Sequence, residues 1–125
     1  MIEKITGIQD IFDVTPTTLA SIMSSEYIHE IPTSCETIED LKIVEQLLPK
    51  IVNQYAFLVS MASFVKVRTR QEKRAGHKEM YEDLIDKGVV LNNTIDVLKM
   101  QQKTLSRLVT IKNTINEEMH MSEGY

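Results

Sequence analysis

Basic side chains that could contact phosphate groups cluster in residues 66–78. The segment holds six bases and one acid, a formal charge of +5. A row of cations on one helix face can follow a nucleic-acid backbone, because each cation neutralises one phosphate. The candidate binding residues are Lys66, Arg70, either Lys73 or Arg74, and His77 at helical spacing along one face, with Arg68 and Lys78 flanking them.

The same cluster also fits two other interpretations. Residues 1–48 carry a net charge of −7 and residues 79–98 a net charge of −4, so the basic face could meet acids of a neighbouring copy or a protein partner. Alternatively, bases in the last turn of a helix simply complement its dipole in solvent. No aromatic residue lies between the bases, which disfavours stacking on single-stranded nucleic acid.

Two Glu-x-x-His pairs could in principle bind a metal. They are Glu26 with His29 and Glu117 with His120. Di-iron helical bundles use two such pairs and two further glutamates, all pointing into the bundle. Since no interior acid lies on an apolar seam position of either long helix predicted below, we expect neither a metal nor another cofactor.

Other groups with potential chemistry also have structural explanations. The acids of residues 79–86 lie in what should be the first turns of a helix, where the dipole favours them, and Asp83 can pair with Lys87 four residues on. Cys35, the sole cysteine, has no histidine or base nearby in the sequence to activate it. We therefore predict no enzyme activity and no small-molecule substrate.

The elements that must position these residues follow from a strict apolar pattern. From residue 41 to residue 65, apolar side chains follow one another at alternating steps of three and four, the coiled-coil seam that a helix presents to another helix. A second heptad pattern begins near residue 81. The predicted packing seam comprises Leu41, Val44, Leu48, Ile51, Tyr55, Leu58 and Val65 on the first helix and Leu84, Leu91, Ile95, Leu98 and Leu105 on the second.

Local signals predict where the long helices begin and end. Residues 33–36 and 37–40 both match a capping-box pattern, so one of them should start a helix over 37–75. The heptad phase passes unbroken through Pro49, which predicts a kink within one helix. Gly76 after two bases predicts the helix end, and a second helix should follow over 78–119. The sequence thus predicts an all-α protein built on a long antiparallel helical hairpin.

Residues 1–35 are predicted to form an N-terminal arm, and residues 36–125 the hairpin, within a single domain. Thr15 and Pro16 favour the start of a short helix over about 16–25. Apolar residues off the main seam leave more surface than one hairpin can bury. The arm can cover part of this surface and a second copy the rest. These off-seam residues are Val52, Val59, Val90, Val97 and Ile111.

Composition and terminal residues limit the cellular locations that we expect for the protein. One cysteine excludes an intrachain disulfide, and no stretch approaches a membrane span. Residues 1–7 lack the basic and apolar regions of a signal peptide. We expect a cytoplasmic protein without a membrane partner or, for a viral chain, a location in the virion or host cytoplasm.

One segment bears a resemblance to a known family. The residues Ser106-Arg107 and Ile111–Ile115 are similar to the end of phage-type recombination mediators, which are small, helical and oligomeric. The middle of the chain does not follow that pattern. We therefore assign the chain to no family on this resemblance.

Two functions are therefore predicted. The favoured one is a non-enzymatic, self-associating interaction or assembly subunit, of the kind found in phage particles and multiprotein complexes. The alternative is a nucleic-acid accessory protein, similar to a recombination mediator or to a small subunit of a nucleoprotein complex, that binds phosphates through residues 66–78.

Overall fold

The computed structural model describes residues 3–123, with side chains described for residues 3–110. Within this range the chain is helical and contains no strand. The two long helices pack against each other as a hairpin, which confirms the predicted all-α fold. The helices are α1 (Ile8–Asp13), α2 (Pro16–Glu26), α3 (Ile38–Ala75) and α4 (Lys78–Glu123).

Helix α3 begins at the second of the two predicted capping boxes. Thr37 is the N-cap: its hydroxyl accepts the backbone N–H of Asp40 at 3.1 Å, and the Asp40 carboxylate accepts the Thr37 N–H at 3.2 Å. These bonds satisfy backbone donors that the first turn leaves without partners. Pro49 lies inside the same helix, as the unbroken heptad phase predicted.

The turn between α3 and α4 is a Schellman-type end. Gly76 adopts the left-handed conformation, with φ of 77°, which glycine tolerates because it has no Cβ. Its N–H donates to the Lys73 carbonyl at 3.2 Å, and the His77 N–H donates to the Glu72 carbonyl at 3.0 Å. Two residues therefore reverse the chain and set α4 antiparallel to α3.

The hairpin core is a ladder of apolar side chains at seven-residue spacing. A Cβ on Gly88 would lie 3.9 Å from Cγ1 of Val65, so these two positions are level across the interface. The predicted seam residues Leu41, Leu48, Tyr55 and Ile95 are half-buried beside the ladder. The fully buried seam residues are Val44, Ile51, Leu58 and Val65 on α3 and Leu84, Leu91, Leu98 and Leu105 on α4.

The arm packs along one side of this hairpin. Helix α2 lies mainly on α4, and α1 contacts α3. At the end of α2, Tyr27 stacks on Phe57 of α3 with ring centroids 6.5 Å apart, and its hydroxyl donates to the Ile5 carbonyl at 3.4 Å. Burial raises the pKa of the Tyr27 hydroxyl, and the nearby Glu26 charge adds to this. The arm core consists of Ile5, Ile11, Val14, Leu19, Ile22 and Met23.

Through the described part of the chain, no helix has an apolar stretch of the length that crossing a bilayer requires.

Candidate functional site

The hairpin has two broad faces, and the arm covers only one of them. On the covered face, α4 buries a second row of side chains next to its leucine ladder. The row is polar: Lys87, Thr94 and Gln101, at seven-residue spacing, each 9% exposed or less. Helical periodicity places this row beside the ladder, on the side of α4 that faces the arm.

Polar side chains of the hairpin donate hydrogen bonds to backbone carbonyls of the arm. Lys87 Nζ donates to the Phe12 carbonyl at 3.0 Å and pairs with the Asp83 carboxylate at 2.8 Å. Gln101 Nε2 donates to the His29 carbonyl at 2.7 Å. These bonds compensate the desolvation of the buried donors and fix where the arm lies along the hairpin.

The segment of the arm around the end of α2 is hydrogen-bonded to both long helices. Gln54 of α3 donates to the Glu26 carbonyl at 3.1 Å, and its Oε1 is hydrogen-bonded to Nε2 of His29. Gln101 reaches the same segment from α4, with its Oε1 buried and without a partner among the described residues. The His29 side chain therefore has a hydrogen-bond partner within the fold, and Glu26 contributes its backbone carbonyl to these hydrogen bonds.

The structure divides the predicted basic cluster among several surroundings. Arg68 turns toward the arm, where its guanidinium lies over the Phe12 ring at 5.6 Å. Lys73 lies over the ring of Tyr81 at 5.8 Å. Both cations are stacked on aromatic rings, which stabilises their positions near the turn.

Glu72 joins two members of the cluster at the turn. Its carboxylate accepts from Nε of Arg68 at 2.8 Å and from Nδ1 of His77 at 2.6 Å. The hydrogen bond from His77 lowers the pKa of Glu72 most; burial opposes this, and the Arg68 bond and charge reinforce it. His77 is thus bound to Glu72, while Arg74 and Lys78 are exposed around the turn.

The uncovered face of the hairpin is an open groove between α3 and α4. Lys66 and Arg70 lie along its α3 edge, and neither forms an ion pair with a described residue. Gly88 lies in the groove wall and leaves it open at that level. We call this surface the arm-free groove; its apolar lining is Val59, Ala62, Ile85, Val89 and Ile95.

Several lining residues of the arm-free groove expose much of their apolar surface. Val89 is 54% exposed, Ile85 43% and Val59 39%. Further from the turn, Val52 on the same edge of α3 is 39% exposed. Exposed aliphatic side chains that line one groove make it a candidate surface for contact with another molecule.

The remaining sequence candidates do not converge. Among the described residues, no group of three His, Cys, Asp or Glu side chains could hold a metal ion. Cys35 is half-buried in the connection between α2 and α3. The pair Glu117 and His120, and residues 111–115 of the recombination-mediator resemblance, fall outside the described side chains.

The chain matches no family model, no curated protein and no solved structure in the comparisons with known proteins.

Sequence reasoning missed the buried polar row on α4. The sequence predicts Lys87 only as an ion-pair partner of Asp83, and that pair does form. A signal was present, since Lys87, Thr94 and Gln101 each follow a seam leucine by three residues, which places them on a flank of the core. Because these residues are polar, a search for apolar periodicity does not detect that flank.

Proposed function

We propose that this protein is a non-enzymatic, self-associating helical subunit that assembles through the arm-free groove. The observation that supports this most directly is the asymmetry of the hairpin: the arm covers one face, and the apolar lining of the other is exposed. Antiparallel helix pairs with an apolar face combine readily into four-helix bundles. The arm would then form the outside of the assembly.

The chemistry of the arm-free groove fits a helical protein partner. Its walls are aliphatic, and Ala62, Ser63 and Gly88 are small, so another helix can approach closely. Lys66 and Arg70 line the same groove on its α3 side toward the turn, where their long side chains can keep the charged ends in solvent at the edge of the contact.

Substitution of Val89 by glutamate tests this proposal. A carboxylate at this site would have to be desolvated in the assembly, so Val89→Glu should abolish self-association measured by light scattering at micromolar concentration. Val67→Glu is the matched control, because Val67 is 50% exposed, against 54% for Val89. Val67 lies two residues after the seam residue Val65, which directs it away from the groove.

Three outcomes are informative. Loss of self-association in Val89→Glu but not in Val67→Glu supports the arm-free groove as the interface. The reverse pattern would move the interface to the back of α3 and contradict the proposal. A monomeric wild-type chain would refute self-association altogether.

A second candidate function is nucleic-acid binding through the same edge of α3. Lys66 and Arg70 have no ion-pair partner among the described residues, and Arg74 continues their row toward the turn. Such a row could contact successive phosphates. This candidate does not require the exposed valines and isoleucine of the groove, whereas self-association does.

Salt dependence tests the second candidate. If the edge binds phosphates, Lys66→Gln with Arg70→Gln should weaken binding to all sequences and reduce the salt slope by roughly 1.5 to 2 units. Lys99→Gln with Lys103→Gln, at the far end of the same face, is the matched control. Equal gel shifts for both double variants, or no shift with the wild type, would eliminate this candidate.

A further inference from the structure

We infer that the partner at the arm-free groove is a second copy related by a half-turn about an axis parallel to the helices, so that α3 of each copy packs on α4 of the other. This inference rests on the proposed function. It concerns which surfaces meet, and it follows from the order of side chains along the two edges of the groove.

The level of each residue follows from the hairpin itself. Val65 lies beside Gly88, and the helices are antiparallel, so one step forward along α3 corresponds to one step back along α4. Arg70, five residues after Val65, is therefore level with Asp83. Glu82 precedes Asp83 by one residue, so it is almost level with Arg70.

Arg70 and Glu82 lie on opposite edges of the groove in one chain. Arg70 lines the α3 edge. Glu82 is exposed and lies seven residues, two helical turns, before Val89, so it extends the α4 edge toward the turn. Neither side chain forms an ion pair with a described residue.

A half-turn about the long axis exchanges the two edges without changing the level. Arg70 of one copy then faces Glu82 of the other, and symmetry repeats the pair, so two attractions flank the contact. The arrangement places opposite charges together at the rim, where they determine orientation more than affinity.

The same half-turn also matches the sizes of the lining side chains. Val89 of one copy lies within two residues of the level of Ala62 and Ser63 of the other, where small side chains leave space for it. Val59 lies level with Ile95 of the second copy. A large residue thus opposes small ones at the level of Val89, and aliphatic residues oppose each other further from the turn.

The competing arrangement turns the second copy end for end, with α3 on α3. It can pair Arg70 with Glu45, which lies on the same side of α3 seven residues before Val52. In that register, however, Val89 of one copy meets Gln102 of the other, whereas the half-turn about the long axis sets Val89 near Ala62 and Ser63. Val89 would then be buried against a polar amide, so we favour the half-turn about the long axis.

Charge reversal separates the two arrangements. Arg70→Glu and Glu82→Arg should each weaken self-association roughly tenfold, because each creates two like-charge contacts. The double variant Arg70→Glu/Glu82→Arg should return the dissociation constant to within about threefold of the wild type. The comparison variant Arg70→Glu/Glu45→Arg should remain weak. Thermal unfolding of each variant controls for effects within one chain.

Failure of the inference and failure of the proposed function are distinguishable. Rescue by Glu82→Arg supports the inferred arrangement. Rescue by Glu45→Arg, or self-association that none of these substitutions changes, overturns it and leaves self-association standing. If Arg70→Glu weakens self-association and neither Glu82→Arg nor Glu45→Arg restores it, the inferred arrangement is also overturned. A wild-type chain that is monomeric overturns both.

Discussion

Replacement of Leu58 tests the packing of the hairpin on which every surface described above depends. Leu58 lies at the middle of the α3 ladder and is 0% exposed. Leu58→Ala removes three buried carbon atoms, which at about 0.8 kcal/mol each accounts for roughly 2.4 kcal/mol. The cavity left between two long helices adds to this, so we expect a total loss of about 2 to 5 kcal/mol.

The free energy of unfolding should be measured by urea titration, followed by circular dichroism. Wild type and variant must be compared at one protein concentration, because self-association would contribute to stability. Met100→Ala is the control: it truncates a side chain of similar length on α4 that is 70% exposed, so it should change stability by less than about 0.5 kcal/mol. A loss below about 0.5 kcal/mol for Leu58→Ala would show that the ladder is assigned to the wrong face.

Two further predictions concern the arm and the turn. Lys87→Met removes the donor to the Phe12 carbonyl, so it should destabilise the protein by about 1 to 3 kcal/mol and speed amide hydrogen exchange in α1, whereas the exposed Lys99→Met should do neither. Because the pKa of Glu72 is lowered in the folded protein, its stabilisation is present above the ordinary glutamate pKa of about 4.3 and lost as pH falls through the folded value. Glu72→Gln should therefore lose less stability than the wild type on acidification, and parallel curves would contradict this.

The starts of α2 and α3 and the turn at Gly76 were predictable because their causes are local. A capping box around Thr37, proline after Thr15 and glycine after a basic turn each satisfy or release backbone groups within a few residues. The heptad phase was equally local, and it predicted that Pro49 would lie inside one helix. These features need no knowledge of what packs from elsewhere in the chain.

The position of the arm on the hairpin was harder to predict from the sequence than the helix boundaries. Its contacts join residues far apart in the chain, such as Lys87 with Phe12 and Gln101 with His29. The acceptors are backbone carbonyls, which every residue carries, so no side-chain pattern in the arm identifies them.

The division of the basic cluster had a different cause. Sequence spacing placed His77 on the same face as Lys66 and Arg70, but α3 ends at Ala75, and the turn brings His77 back to Glu72. Periodicity along a helix cannot describe a residue beyond its end.

The molar mass of the wild-type chain in solution tests self-association through the arm-free groove most directly. Sedimentation equilibrium across the micromolar range should give a mass near twice 14.4 kDa that falls on dilution, as expected for two hairpins paired in a four-helix bundle. A mass of 14.4 kDa at every concentration would contradict self-association.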